Sequence, residues 1–283
     1  MTPQQYCQDK VLREGSSLYY SLRFLPATQR HAVTALHAFF HEVSDVRYEC
    51  HDTEVARVKF QWWREEISQA FAGTTHHPVC QALSEPVRRY QLAEHYFQEI
   101  IEGLLLDLEV TRYSTFEELE AYCKRTSGVL SLLCTQVLGY QNDSTLKYAE
   151  QLGVALQLTS ILRELRRDIQ KGRLCVPQED LVRFNVSEQT MFNWQLSETV
   201  QALLAYQATR IRAYYDNAFK YLAKEDRFNQ RSGLIRAQLA LATLGEIEND
   251  GYQLFKHRIR LTPLRKLWIT WRTGWRAKRR RFG

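Results

Sequence analysis

The stretch QLTSILRELRRDIQKGR, Gln157 to Arg173, reads as one helix and belongs to a longer apolar-striped segment over 144–171. Glu164 and Asp168 lie one i,i+4 step apart on it, a spacing at which two carboxylates on one helical face can hold a divalent cation. Arg163, Arg166, Arg167, Lys171 and Arg173 surround the pair and would repel such an ion. Three readings follow from the residues alone: a metal site, the remains of one, or a solvated charged face held by ordinary i,i+4 pairing.

Working outward, helical periodicity dominates. Ala32, Ala35, Leu36, Phe39, Phe40 and Val43 recur at the spacing of one buried stripe within 30–49, and further stripes run through 54–72, 78–91, 93–111, 115–138, 197–223 and 231–256. AGTTHHP, the Arg112–Thr115 turn, GYQND and the VPQED corner interrupt them. No segment alternates with period two for long enough to make a strand. The expectation is an all-α single domain of about eight to ten helices, with functional groups on helices that face a central cavity.

Composition agrees. Hydrophobic residues at 45% supply a substantial core, and 12 Gly and 6 Pro in 283 residues suit long helices with no linker between domains. Cys7, Cys50, Cys80, Cys123, Cys134 and Cys175 are far apart and without a C-x-x-C pair, which suggests reduced core thiols. MTPQQYCQDK lacks the apolar run of a signal peptide, and no stretch approaches the ~18 apolar residues of a membrane span. The net charge of +6 is uneven: 251–283 carries 11 Lys and Arg and no acid, leaving 27 basic against 32 acidic residues elsewhere. The expected organisation is a helical domain over 1–257 and a basic tail over 258–283.

YCQDKVLREGSSLYYSLRFLP, ALHAFFHEVSDVRYE and LTSILRELRRDIQKGR, in this order and spacing, resemble the squalene/phytoene synthase family, closest to its bacterial presqualene diphosphate synthase branch. VKFQWWREEI, FQEIIEGLLLDLEVTRYSTFEELEAYC, VPQEDL and LTPLRKLW extend the resemblance from about Tyr6 to the tail. It implies an isoprenoid synthase helical bundle that joins two farnesyl diphosphates head to head. Two Asp-rich helices would face each other and hold Mg2+, which neutralises the departing diphosphate.

Both motifs depart from the family pattern. Where the first usually reads like R-E-x-D-D-x-x-D-E, this chain has His41, Glu42, Val43, Ser44, Asp45, Val46, Arg47, Tyr48 and Glu49, so Ser44 and Tyr48 replace the metal-facing acids and His41 an arginine. Asp45 and Glu49 remain as an i,i+4 pair turned by about 100° around the helix. In the second, Ser160 replaces an amide ligand and Arg167 an acid, while Glu164 and Asp168 persist. The resemblance implies a catalytic role for Tyr122, diphosphate contacts for Ser16, Ser17, Arg163, Arg167 and Arg173, and metal contacts for Asp45, Glu49, Glu164 and Asp168. A late family tyrosine aligns with Ala240.

Two classes of function follow. One is a Mg2+-dependent prenyltransferase of isoprenoid biosynthesis, making presqualene diphosphate or squalene, with chemistry impaired or altered. The other is a non-catalytic relative serving assembly or regulation, for which the family has a precedent in a respiratory complex I assembly factor. Removal of diphosphate from a single prenyl substrate lies between them. Against the sharper readings, Tyr122 suits a core tyrosine, His41 a packed or exposed histidine, His76 and His77 a polar loop, and Trp62 and Trp63 core packing on different sides of one helix. The tail aligns Leu264, Leu267, Trp268, Trp271 and Trp275 on one face with Arg and Lys around it, which favours an anionic membrane surface over nucleic acid. The expected location is cytoplasmic, on the inner face of the membrane, with a protein partner as a further option.

Overall fold

The computed structural model describes residues 1–50, 52–110 and 112–282. Its helices are α1 (Pro3–Val11), α2 (Ser17–Leu22), α3 (Ala27–Glu49), α4 (Thr53–Ala72), α5 (Pro78–Arg89), α6 (Glu94–Glu109), α7 (Phe116–Cys123), α8 (Val129–Leu138), α9 (Ser144–Gln170), α10 (Gln178–Arg183), α11 (Glu188–Phe192), α12 (Glu198–Tyr221), α13 (Arg231–Asn249) and α14 (Pro263–Phe282). A π-turn, Lys124–Gly128, joins α7 to α8. Among the described residues the only β feature is an isolated bridge between Arg112 and Leu174. The helix count exceeds expectation because α1, α2, α10 and α11 are too short for periodicity to reveal and because 115–138 is divided by the π-turn.

Two hydrophobic clusters share the bundle. One is built by α1, α3, α4, α5, α6 and α8 around Phe39, Phe60, Ile67, Leu83 and Phe97. The other gathers α7, α9, α12 and α13 around Leu158, Leu162, Leu204, Ile211 and Tyr215. The predicted α3 stripe is buried through Ala32, Ala35, Leu36, Phe39 and Val43, with Phe40 only half-buried. Trp63 packs inside while Trp62 stays 43% exposed, as their adjacent positions require. All six cysteines are free thiols.

Helix α9, about 40 Å long at 1.5 Å per residue, runs between the clusters. Its stretch 157–173 is not helical to the end. Gly172, at φ 74°, takes the left-handed conformation that glycine tolerates, and Arg173 N–H returns to the Asp168 carbonyl at 2.9 Å. Arg173 is thereby thrown back into the protein. Near the other end, α9 meets the π-turn so closely that a Cβ on Gly153 would lie 2.2 Å from the Ser127 carbonyl oxygen and 2.6 Å from Gly128 Cα.

The C-terminal helix α14 is part of the body, with Ile269, Thr270 and Ala277 buried, Ile269 joining Tyr20, Ile235 and Leu239 in a small cluster with α2 and α13. No described helix is long and apolar enough to cross a membrane.

The contact at Gly153 gives a direct test. Gly153→Ala must push backbone against backbone, and we expect a loss of about 3 kcal/mol, at the upper end of overpacking costs. A thermal midpoint within a degree of wild type would mean that α9 and the π-turn do not touch as described.

Candidate functional site

At the end of α3, α6 and α9 the sequence buries charge. Asp107 interrupts an apolar run on α6 and is 3% exposed. It accepts from Arg173 Nη1 at 2.7 Å and Nη2 at 2.5 Å, and from Arg47 Nη1 and the Tyr113 hydroxyl. Burial pushes the Asp107 carboxyl up to about 6, with Arg47 and the hydroxyls of Tyr113 and Tyr122 pulling the other way, so it is ionised at neutral pH. Tyr122 sits in the same cluster, its ring 6.0 Å from Tyr113 and under the Arg173 guanidinium at 5.9 Å. Burial, then the charge of Asp107, hold its hydroxyl protonated. Arg173 is therefore committed to Asp107.

One turn away, α3 and α9 face each other through the replaced positions. Tyr48 lies under two cations, with Lys171 Nζ 4.0 Å and Arg167 5.5 Å from its ring centre. Ser44 turns its hydroxyl to the Phe40 carbonyl of its own helix at 2.6 Å. Asp45 pairs with Lys10 at 3.3 Å and His41 at 2.8 Å, and Glu49 with Lys59 at 3.6 Å. Asp45 and Glu49 thus have partners on α1, α3 and α4, and among the described residues no three His, Cys, Asp or Glu side chains converge as a metal site needs. Ser160 lies on α9 and Ala240 packs against the α9–α12 cluster.

Glu164 and Asp168 point inward from α9 and behave oppositely. Burial opposes ionisation of Glu164, but Arg163 at 3.0 Å, Arg258 and Arg167 outweigh it and hold its carboxyl below the usual range. Burial dominates at Asp168 and raises it, since Arg167 stays 3.7 Å away and Oδ1 has no hydrogen-bond partner.

Beyond Glu164 the cations outnumber acids. Lys266 of α14 donates to the Gly15 carbonyl at 2.7 Å, beside Ser16, whose hydroxyl caps α2 by accepting from Tyr19 N–H at 3.1 Å, and Ser17, the first residue of α2. Burial and then the charges of Arg163, Arg260 and Arg258 hold the Lys266 ammonium below its ordinary value. Lys266 thus feels three other cations, two of which, Arg163 and Arg258, already share the Glu164 carboxylate, so positive charge is in excess at this corner. The sequence reading placed Arg163 here but missed Arg258, Arg260 and Lys266, whose only signal was their place beside LTPLRKLW. It also missed Asp107 and Arg47, although an acid in GLLLDLEV marks an inward charge. Two small pockets lie among the core helices, each of about 20 Å3; one is lined mostly by Leu158, Leu162, Leu165 and Ile211, together with Gln207 and Arg210.

A family model described as Squalene/phytoene synthase matches residues 11–265. The 15-cis-phytoene synthase of Synechococcus elongatus is 29% identical over 276 residues, covering 92% of this chain and 89% of that protein. The phytoene synthase of Mycobacterium tuberculosis is 31% identical over 260 residues, covering 88% and 83%. Among solved structures, a dehydrosqualene synthase bound to a ligand superimposes with a TM-score of 0.86 at 23% identity over 98% of this chain and 97% of that one. A squalene synthase from Alicyclobacillus acidocaldarius gives 0.77 at 22% identity over 88% and 94%.

The opposite behaviour of the two α9 acids sets opposite pH signs. The folded-state pKa of Glu164 is depressed, so its stabilisation is present above the ordinary carboxylate value of about 4.3 and lost as pH falls. That of Asp168 is raised, so ionisation above the folded value is a cost. At pH 7, Glu164→Gln is expected to lower the thermal midpoint, with a loss of roughly 1–3 kcal/mol, whereas Asp168→Asn raises it, the gain shrinking towards pH 4. Shifts of equal sign at pH 7 would contradict this geometry.

Proposed function

The chain belongs to the squalene/phytoene synthase family, and on that premise we propose that it binds a prenyl diphosphate such as farnesyl diphosphate through fixed cations rather than through bridging magnesium. The observation that carries this reading is Lys266 on the Gly15 carbonyl beside Ser16 and Ser17, with the charges of Arg163, Arg260 and Arg258 near enough to depress it. A diphosphate supplies the negative charge that these groups lack, and arginine can pair with two phosphate oxygens at once.

The residues present do not fit the family's metal cluster. Magnesium needs octahedral oxygen ligands at short range, and the positions that would face it are a tyrosine ring under Lys171 and Arg167 and a serine bonded within its own helix. Asp45 and Glu49 are paired on other helices, and Glu164 is already shared among arginines. Fixed cations hold a diphosphate but do not pull on a leaving group as bridging metal ions do. The proposed activity is therefore binding, with head-to-head joining of two farnesyl diphosphates reduced or lost and a partner-directed or regulatory role in its place.

This reading predicts that a non-hydrolysable farnesyl diphosphate analogue binds with the same Kd in Mg2+ and in chelator, and that Lys266→Met weakens it about tenfold, the loss of one charge-assisted contact. Incubation with farnesyl diphosphate should give no multiple-turnover head-to-head product. Strong magnesium dependence together with sustained turnover would overturn the proposal.

The same helix that carries Lys266 exposes an apolar face through Leu264, Leu267, Trp268, Trp271 and Trp275, with Arg272 4.9 Å over the Trp268 ring. We assign this face to an anionic membrane surface, where tryptophans sit at the headgroup level and arginines meet lipid charge. Because these side chains are already exposed, Trp268→Ser with Trp271→Ser should leave the thermal midpoint in place while sharply reducing sedimentation with phosphatidylserine vesicles. Wild-type binding should fall with salt, since screening acts over about 8 Å at physiological ionic strength. Undiminished vesicle binding by the double variant would remove α14 from the interface.

A further inference from the structure

Among α3, α8, α9 and α13 lies a half-buried cation that pairs with no acid among the described residues. Arg236 of α13 donates Nη1 to Nε2 of His37 on α3 at 3.0 Å, which requires Nε2 to be bare and leaves the His37 proton on Nδ1. Among the described residues that is its one side-chain hydrogen bond, and the polar groups that bear on it most are Cys134, Tyr215 and Tyr148. None of them carries negative charge at neutral pH. Burial pushes the Cys134 thiol up to about 12 and keeps Tyr148 and Tyr215 protonated. His37 is held neutral by burial and by Arg236 itself. Arginine cannot shed its proton, and this half-buried guanidinium, bonded only to a neutral imidazole, leaves its charge open to an anion.

The surroundings are built to receive the compensation. The pocket of about 20 Å3 beside Arg236 is lined by Ser131, Thr135, Gln230 and Tyr148, enough for one water-sized particle. The Tyr148 hydroxyl is fully buried and has no hydrogen-bond partner. Gly233 makes the space for it, because a Cβ there would stand 2.7 Å from that hydroxyl oxygen. A buried donor left without an acceptor beside a guanidinium left without an acid calls for the same occupant.

We propose that this pocket binds a single small inorganic monovalent anion of halide size, held by Arg236 and the Tyr148 hydroxyl. The site is separate from the cations around Lys266 and stands whether or not a diphosphate binds there.

The protein is melted in sodium bromide and in sodium gluconate at equal ionic strength, gluconate being too large for the pocket. Bromide should raise the thermal midpoint with concentration, the folding equilibrium increasing about 100-fold at 100 times the Kd. Arg236→Met should abolish the difference between salts, while Arg272→Ser, on the exposed face of α14, retains it. Should Arg236→Met fail to fold, crystals of the wild-type protein soaked in bromide decide the matter, with an anomalous peak expected beside Arg236. Equal midpoints in the two salts, a bromide response that survives Arg236→Met, or no peak beside Arg236 overturns the proposal.

Discussion

Asp107 is a carboxylate set in an apolar run of α6, and it can stay there only because Arg47, Arg173 and Tyr113 come to it from α3, from the turn after α9 and from the loop before α7. Removing one partner of such a buried cluster costs about 3–5 kcal/mol because the others are left charged and unpaired. The three segments that meet at Asp107 are also those that carry Tyr48, Asp168 and Tyr122. The site therefore takes its frame from an ion cluster in which the protein supplies both signs of charge.

That frame explains the chemistry of the neighbouring surface. Where the family pattern asks for acids on two facing helices, α3 presents a serine and a tyrosine and α9 adds an arginine, so the gap between them is lined by Lys171 and Arg167 over an aromatic ring. The excess positive charge of the C-terminal segment does not all face solvent either, since Arg258 reaches Glu164 and Lys266 reaches Gly15. On the reading proposed above, positive charge on this surface favours an anion where the resemblance implies cations.

The helical class and the long elements were legible because a 3.6-residue period survives any tertiary arrangement: α3, α4, α9 and α12 lie within a few residues of their stripes. The ends were less legible. Reading 157–173 as continuous helix ignored Gly172, and with it the reversal that delivers Arg173 to Asp107. The motif comparison located Glu164, Asp168, Ser44 and Tyr48 on the facing helices but could not give the partners of Asp45 and Glu49, which depend on where α1 and α4 pack. Arg236 and His37 were invisible because they are 199 residues apart, and nothing local marks one as the partner of the other. The tail's strongly patterned outer face marks it in the sequence, while among the described residues Ile269, Thr270 and Ala277 are buried on its inner side.

Lys266 and Trp268 are two residues apart on one rigid helix, the first fastened to the loop that precedes α2 and the second turned outward. Any force that orients the outward face also fixes the height of the ammonium over that loop. Thermodynamic linkage makes the relation mutual: occupancy on one side of α14 that restricts its position alters affinity on the other by the same factor. With both surfaces occupied as proposed, such a helix would act as a lever arm, with its coupling set by the short stretch of backbone between the two side chains.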